Sequence, residues 1–143
     1  NSNDRVEVFQ NQIKNNQTAN ILISSYFSAN YAGQRELAEE FDPYPEEIFI
    51  YDNEFVGGGD NPGRDYLVTL KNTVFGVDGR FPDVIWDGMI NPAKPREQII
   101  CLQNKGSQIL NIDLQNEFQN PHLGGNAHDC ELPRLPAVVL SET

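Results

Sequence analysis

The stretch from Asp4 to Tyr31 reads as one long helix, and nearly everything after it reads as strand and turn. That order, one helix and then a sheet, limits the fold more than any other feature of the chain. Asp4 with Glu7 three residues on forms a capping-box-like start. The apolar residues Val6, Phe9 and Ile13 follow a 3.6-residue spacing. A second set, Ala19, Ile23, Tyr26, Phe27 and Asn30, continues it with the stripe rotated by roughly a quarter turn. Between them Asn15, Asn16, Gln17, Thr18 and Asn20 make a polar waist of mediocre helix formers. The second half of the helix is therefore expected to be the part held by the domain. Gly33 supplies a left-handed C-terminal cap, and Gln34 to Phe41 forms a further short helical turn, ended by Asp42-Pro43-Tyr44-Pro45.

Glu47 to Tyr51 is the first strand candidate, β-branched and aromatic. Asp52 to Asp65, with Gly57-Gly58-Gly59 and Asn61-Pro62-Gly63, reads as an irregular loop. Tyr66 to Leu70, Thr73 to Val77 and Val84 to Trp86 are strand-like, with a turn at Asp78-Gly79. Gln98 to Gln103 and Ser107 to Leu114 flank Asn104-Lys105-Gly106 as a hairpin. Ile109, Asn111 and Asp113 alternate there with Leu110, Ile112 and Leu114, so one sheet face is expected to be buried and the other wet. Gln115 to Pro136 is loop-rich, and Ala137 to Leu140 reads as an edge strand. No internal repeat is evident. The expected fold is α+β in a single domain: a helix over 4–31 packed on an antiparallel sheet of about four strands. A connecting loop occupies 33–65, the sheet 66–114, and a disulfide-closed loop region 115–143.

The 143 residues suit one core. Twenty-one acidic against ten basic residues give a net charge of -11, with the basic residues scattered. Nucleic acid is disfavoured as a partner, because phosphate binding needs a Lys/Arg patch, and so is an anionic membrane surface. Asn and Gln are abundant, notably from Gln115 to Asn120, which suggests an extracytoplasmic protein. Two cysteines in such a chain pair naturally as one disulfide, Cys101 to Cys130. The alternative is a pair of buried free thiols. No apolar run reaches the roughly 20 residues that span a bilayer. Since Asn1 is not a methionine and the sole methionine is Met89, the chain is expected to be a processed or excised ectodomain whose anchor, if any, lies before Asn1.

No Gly-x-Ser-x-Gly elbow, His-Glu-x-x-His, Cys-x-x-Cys or phosphate loop is present, so no catalytic residue is nominated and no enzyme is expected. His122, His128 and Asp129 form a conceivable metal set, but their spacing matches no standard ligand pattern, and an exposed loop is the plainer reading. Asp52, Asn53, Asp60 and Asp65 could supply oxygen ligands to a calcium ion, the one cofactor considered. Tyr44, Tyr51, Phe55, Tyr66 and Trp86 could stack on sugars, although Trp86 in an apolar run is more often core. Asn16-Gln17-Thr18 is a formal glycosylation sequon inside the expected helix, hence a chance match.

A helix with a polar first half, an Asp/Gly/Pro-rich connection, a meander of strands and a disulfide around a C-terminal loop resembles a type IV pilin or type II secretion pseudopilin ectodomain. The resemblance covers the whole chain in the order of elements only. It implies a subunit of a surface filament, exported through the inner membrane and partnered by other pilin subunits. Val6, Phe9 and Ile13 would continue the apolar seam at the filament centre, and the filament would serve adhesion, motility or secretion. Two alternatives stand beside it: a secreted or surface-anchored binding module, carbohydrate- or calcium-dependent, and a small extracellular hydrolase.

Overall fold

Short runs of β-branched and aromatic residues recur along the chain, and they are the strands of the computed structural model, which describes residues 3–28, 38, 40–93, 100–137 and 139. In order these are β1 (Asp4–Phe9), β2 (Gln12–Lys14), β3 (Ile21–Ile23), β4 (Glu46–Tyr51) and β5 (Glu54–Val56). After helix α1 (Asp65–Phe75) come β6 (Val84–Trp86), β7 (Ile100–Gln103), β8 (Ile109–Asn111) and β9 (His122–Leu123). Strands pair with the strand that follows one circuit later: β1-β4-β7, β2-β5 and β3-β6-β8, all parallel, with β9 added antiparallel to β8. The chain therefore winds as a parallel β-helix of three rungs, the third lacking a middle strand.

The stacking is in register. Val6, Ile48 and Ile100 lie over one another, as do Val8, Ile50 and Leu102, on one wall of the bore. Ile21, Val84 and Ile109, with Ile23 and Trp86, form the facing wall, and the two walls share one apolar cluster. Burying each such aliphatic side chain contributes about 1.5–3 kcal/mol. The outer faces are covered as well. α1 lays Leu67, Leu70 and Phe75 against Ile85, Leu110 and Phe81 outside the β6-β8 sheet. Cys130 and Leu132 lie on Phe49, Tyr51 and Cys101 outside the β4-β7 sheet. Strands buried on both faces are what parallel sheets require, and β6 is Val-Ile-Trp with no polar residue.

The corners repeat too. Arg5 and Glu47, Gln10 and Asp52, and Asn15 and Gly57 all have positive φ at equivalent places in the first two rungs. Behind the second of these corners Asn11, Asn53 and Asn104 stack. Asn11 donates through Nδ2 to Asn53 Oδ1 at 3.1 Å, and Asn53 Nδ2 donates to Asn104 Oδ1 at 3.3 Å. Such an amide ladder satisfies side chains from rung to rung. The same Asn53 amide caps the ends of β1 and β4, donating to Val8 O at 2.7 Å and Tyr51 O at 3.0 Å.

Several expectations are overturned. The helix over 4–31 is absent among the described residues: 4–23 is β1, β2 and β3, and 24–28 is irregular chain and turn. The reason is that Val6 and Val8 alternate as a strand and the polar waist is a corner. The α+β fold with an antiparallel sheet gives way to parallel sheets, in which α1 is the one α-helix described. That helix stands where Tyr66 to Leu70 and Thr73 to Val77 read as strands. The irregular loop 52–65 contains β5. The expected hairpin does not form, because β7 pairs with β4 and β8 with β6, so Asn104-Lys105-Gly106 turns the corner between two sheets. Ile109 and Leu110, on opposite faces, are both buried, so neither face is wet. A repeat exists: Asn11 and Asn53 are 42 residues apart and Asn53 and Asn104 are 51 apart. Gly33, most of the turn from Gln34 to Phe41, and the first residues of the strand from Gln98 lie outside the described residues. So do Val138 and Leu140 of the C-terminal edge strand; Ala137 and Val139 are not in a strand. The disulfide Cys101–Cys130 is present, with Cα atoms 5.0 Å apart.

Candidate functional site

The ends of β6 and β8 carry the polar residues that shape one end of the solenoid. After Trp86, Asp87 is buried and fixes the chain around it, accepting from Ser25 N and from Met89 N at 3.1 Å. At the end of β8, Asn111 Oδ1 accepts from Asp113 N at 2.8 Å. Asp113, at φ 60°, turns the chain into a 3-10 segment over Leu114–Asn116. Asp113 is 8% exposed and organises the whole loop: Oδ1 accepts from Asn116 Nδ2 at 2.8 Å and Oδ2 from Asn120 N at 3.1 Å. The chain then returns as β9, which sets His122 opposite Asn111 and Leu123 opposite Leu110. A second 3-10 segment, Gly125–His128, crosses to the edge of β7, where His128 Nδ1 lies 3.0 Å from Ile100 O. Cys130 closes the circuit onto Cys101.

Between these pieces lies an open polar basin of about 530 Å³. The carboxamides of Asn111, Gln115, Asn116, Gln119 and Asn120 line it together with Asp113, His122 and Gly88. Glycine is required at 88: with φ +85°, a Cβ there would stand 2.2 Å from Asn111 Oδ1 and 3.1 Å from Asp113 N. The basin adjoins a smaller chamber of about 140 Å³, sharing Ile90, Asn111 and His122 with it. Trp86, Ile100, Ala127 and His128 complete the chamber. The His128 ring meets the Trp86 indole edge-on with centroids 5.8 Å apart. Gly124 lets it do so, since a Cβ there would fall 2.2 Å from the ring.

The two histidines have assigned protons. His128 Nδ1 faces a carbonyl, which can only accept, so Nδ1 carries the hydrogen; the same holds for His122, whose Nδ1 is 2.7 Å from Asn120 O. Burial lowers the pKa of His128 below the ordinary 6.5, the bond to Ile100 opposes this, and the nearby His122 lowers it further. His128 is therefore neutral at neutral pH. The Trp86 indole N–H is buried and has no hydrogen-bond acceptor among the described residues.

Comparison with family models, curated proteins and solved structures returns no match for the chain. The chemistry of the site rests on its geometry alone.

The residues singled out from sequence are dispersed. Asn53 spends its amide in the ladder, Asp65 opens α1, and Asp52 occupies a positive-φ corner. Among the described residues, the trio of carboxylates within 4.8 Å of one another is Asp4, Asp42 and Glu46, none from the expected calcium loop. Each of those three already has an interaction partner, and they are not taken as an ion site. His122 and His128 do come together, at the chamber, whereas Asp129 is not among its lining residues. The aromatics do not form one platform: Tyr44 meets Phe27, Tyr66 meets Phe118, Tyr51 stacks on Phe9, Phe55 packs against the bore, and Trp86 lies in it. Asn16 of the sequon lies in an exposed corner, its Nδ2 donating to Asn20 Oδ1 at 3.2 Å.

A third cavity, of about 260 Å³, lies beneath residues 132–135 on the outside of the β1-β4-β7 sheet. Its Glu7 and Arg134 are committed to each other and to their neighbours. Glu7 accepts from Tyr51 OH at 3.1 Å and from Leu135 N at 3.0 Å, and Arg134 lies 3.8 Å from Glu7 and 3.3 Å over the Tyr51 ring centre. This is how the C-terminal strap is held to the solenoid. The basin residues Asn111, Asp113, Asn116 and Asn120 were not distinguishable as a site in the sequence. The signal they left is the Asn/Gln density from Gln115 to Asn120, which there indicates only composition.

Proposed function

We propose that the chain is a binding module for a neutral glycan, in an exported or cell-surface protein. The observation that carries this is the convergence of five carboxamides on one open basin. A carboxamide carries an acceptor oxygen and two donor hydrogens, and apart from the Asn111 oxygen and one Asn116 hydrogen, which the loop itself uses, these complement vicinal hydroxyls, which both donate and accept. Asp113 and the loop it holds fix Asn116 and Asn120 before any ligand arrives, so little ordering is needed on binding. A net charge of -11 disfavours polyanionic chains and leaves neutral ones. The Cys101–Cys130 disulfide supports an oxidising compartment. The filament-subunit role expected from sequence had the helix over 4–31 as its premise, and β1, β2 and β3 lie within residues 4–23 instead, so it is not carried further.

The test is isothermal titration with neutral trisaccharides, cellotriose and chitotriose, against the wild type and Asp113→Ala. Saturable binding that weakens at least about tenfold in the variant, with its fold intact by circular dichroism, is the expected result. Absence of heat from both sugars up to about 10 mM would overturn the reading.

A further inference from the structure

The chamber beside the basin poses a separate problem. Trp86 is 5% exposed, and its indole N–H has no acceptor among the described residues. A buried donor left unmade costs about 1–3 kcal/mol, so such groups in a folded protein have a reason. The chamber that Trp86 lines holds about 140 Å³, adjoins the basin across the shared Asn111, His122 and Ile90, and has an aliphatic side made by Ile90, Ile100 and Ala127. It thus combines an unmatched donor, a hydrocarbon wall and a place beside the proposed glycan site. Asn111 adds a second donor, because its oxygen is committed to Asp113 N and its NH₂ group remains. His122 adds an acceptor: with the hydrogen on Nδ1, its Nε2 carries the lone pair in the neutral ring.

A hydroxyl or a hydroxymethyl group would leave the aliphatic wall bare. A carboxylate would enter a strongly acidic protein, of net charge -11. An acetamido group fits each element: its carbonyl accepts from Trp86 Nε1–H and the Asn111 NH₂, its methyl covers Ile90, Ile100 and Ala127, and its N–H donates to His122 Nε2. We infer that the chamber is a subsite for the 2-acetamido group of an N-acetylhexosamine, entered from the carboxamide basin. This rests on the glycan reading of the basin and names the sugar class that the basin takes.

Because Trp86 is the sole tryptophan, its fluorescence reports the chamber directly. The experiment titrates chitotriose and cellotriose, which differ by the acetamido groups, following fluorescence and heat together. Chitotriose should bind at least about tenfold more tightly and shift the Trp86 emission, whereas cellotriose should give heat with little shift. Trp86→Phe, read by heat, should abolish the preference while cellotriose binding stays within about twofold of wild type. Should that variant not fold, Ala127→Leu fills the chamber from an exposed position and is expected to remove the preference in the same way. Equal affinity for the two sugars would overturn the acetamido subsite and leave the basin reading standing; no binding of either would overturn both.

Discussion

Asn53 does more for this fold than its half-exposed position suggests. Its Nδ2 serves Val8 O, Tyr51 O and Asn104 Oδ1, and its Oδ1 accepts from both N and Nδ2 of Asn11. One side chain therefore ties three successive rungs at one corner. Asp52 beside it takes φ 52°, the left-handed conformation that Asn and Asp tolerate better than other non-glycine residues. Replacing Asn53 by Ala removes the middle of the ladder and leaves the Val8 and Tyr51 carbonyls without their donor. Asn53→Ala is expected to lower stability by about 1–3 kcal/mol, read as a fall in the urea midpoint with an unchanged slope. In the sequence this residue looks like a calcium ligand, since its type and its Asp52 neighbour suit either role. Only the neighbours brought by winding, Asn11 and Asn104, show that its amide is engaged.

At the scale of elements, α1 is an insertion that closes the outside of a sheet. It leaves the second rung after β5 and returns before β6, and its apolar side covers Ile85 and Leu110. Its C-terminal end is tied by an unusual device. Lys71, 4% exposed, reaches past the helix end to donate to Gly76 O at 3.4 Å, Val77 O at 2.7 Å and Gly79 O at 2.9 Å. The cation satisfies carbonyls of the turn that follows the helix, while its stem packs as hydrocarbon. Lys71→Met keeps the stem and removes the three donors, so it should destabilise by about 1–3 kcal/mol. Amide exchange over 71–79 should quicken before that of the strands, and uniform quickening throughout would contradict a local role for Lys71. The segment misled sequence reading because Leu67, Val68, Val74 and Phe75 satisfy a strand count over short windows. Leu67, Leu70, Lys71 and Phe75 share one face only over the full eleven residues of the helix.

At the scale of the whole molecule, a solenoid is stable only if its rungs are covered at the ends and sides. Here β9 pairs along β8, His128 meets the last carbonyl edge at Ile100, and the disulfide anchors a strap that covers Phe49 and Tyr51. Cys101 and Cys130 are 29 residues apart, and in the chain-entropy account closing that loop contributes about 3–4 kcal/mol. Reduction, or Cys101→Ser with Cys130→Ser, should lower stability by that amount. It should also detach Arg134 from the Tyr51 ring and raise proteolysis within 130–135 first. A reduced protein as resistant there as the oxidised one would show that Glu7, Tyr51 and Arg134 hold the strap unaided.

The sequence by itself settled local matters. The strands at 47–51 and 84–86, the cysteine pair, the turn character of 104–106 and the loop-rich character of 115–136, apart from β9 and its 3-10 turns, follow from β-branching, parity and glycine placement, which act over a few residues. Tertiary structure decided which strands are neighbours. A parallel strand pairs with residues 25, 42, 52 or 63 positions away, beyond any window of periodicity, and the insertions at 24–45 and 57–83 hide the repeat. The same long range made the candidate site. Trp86, Asn111 and His122 meet because rung stacking and the β9 return place them together, and no spacing in the chain encodes that meeting.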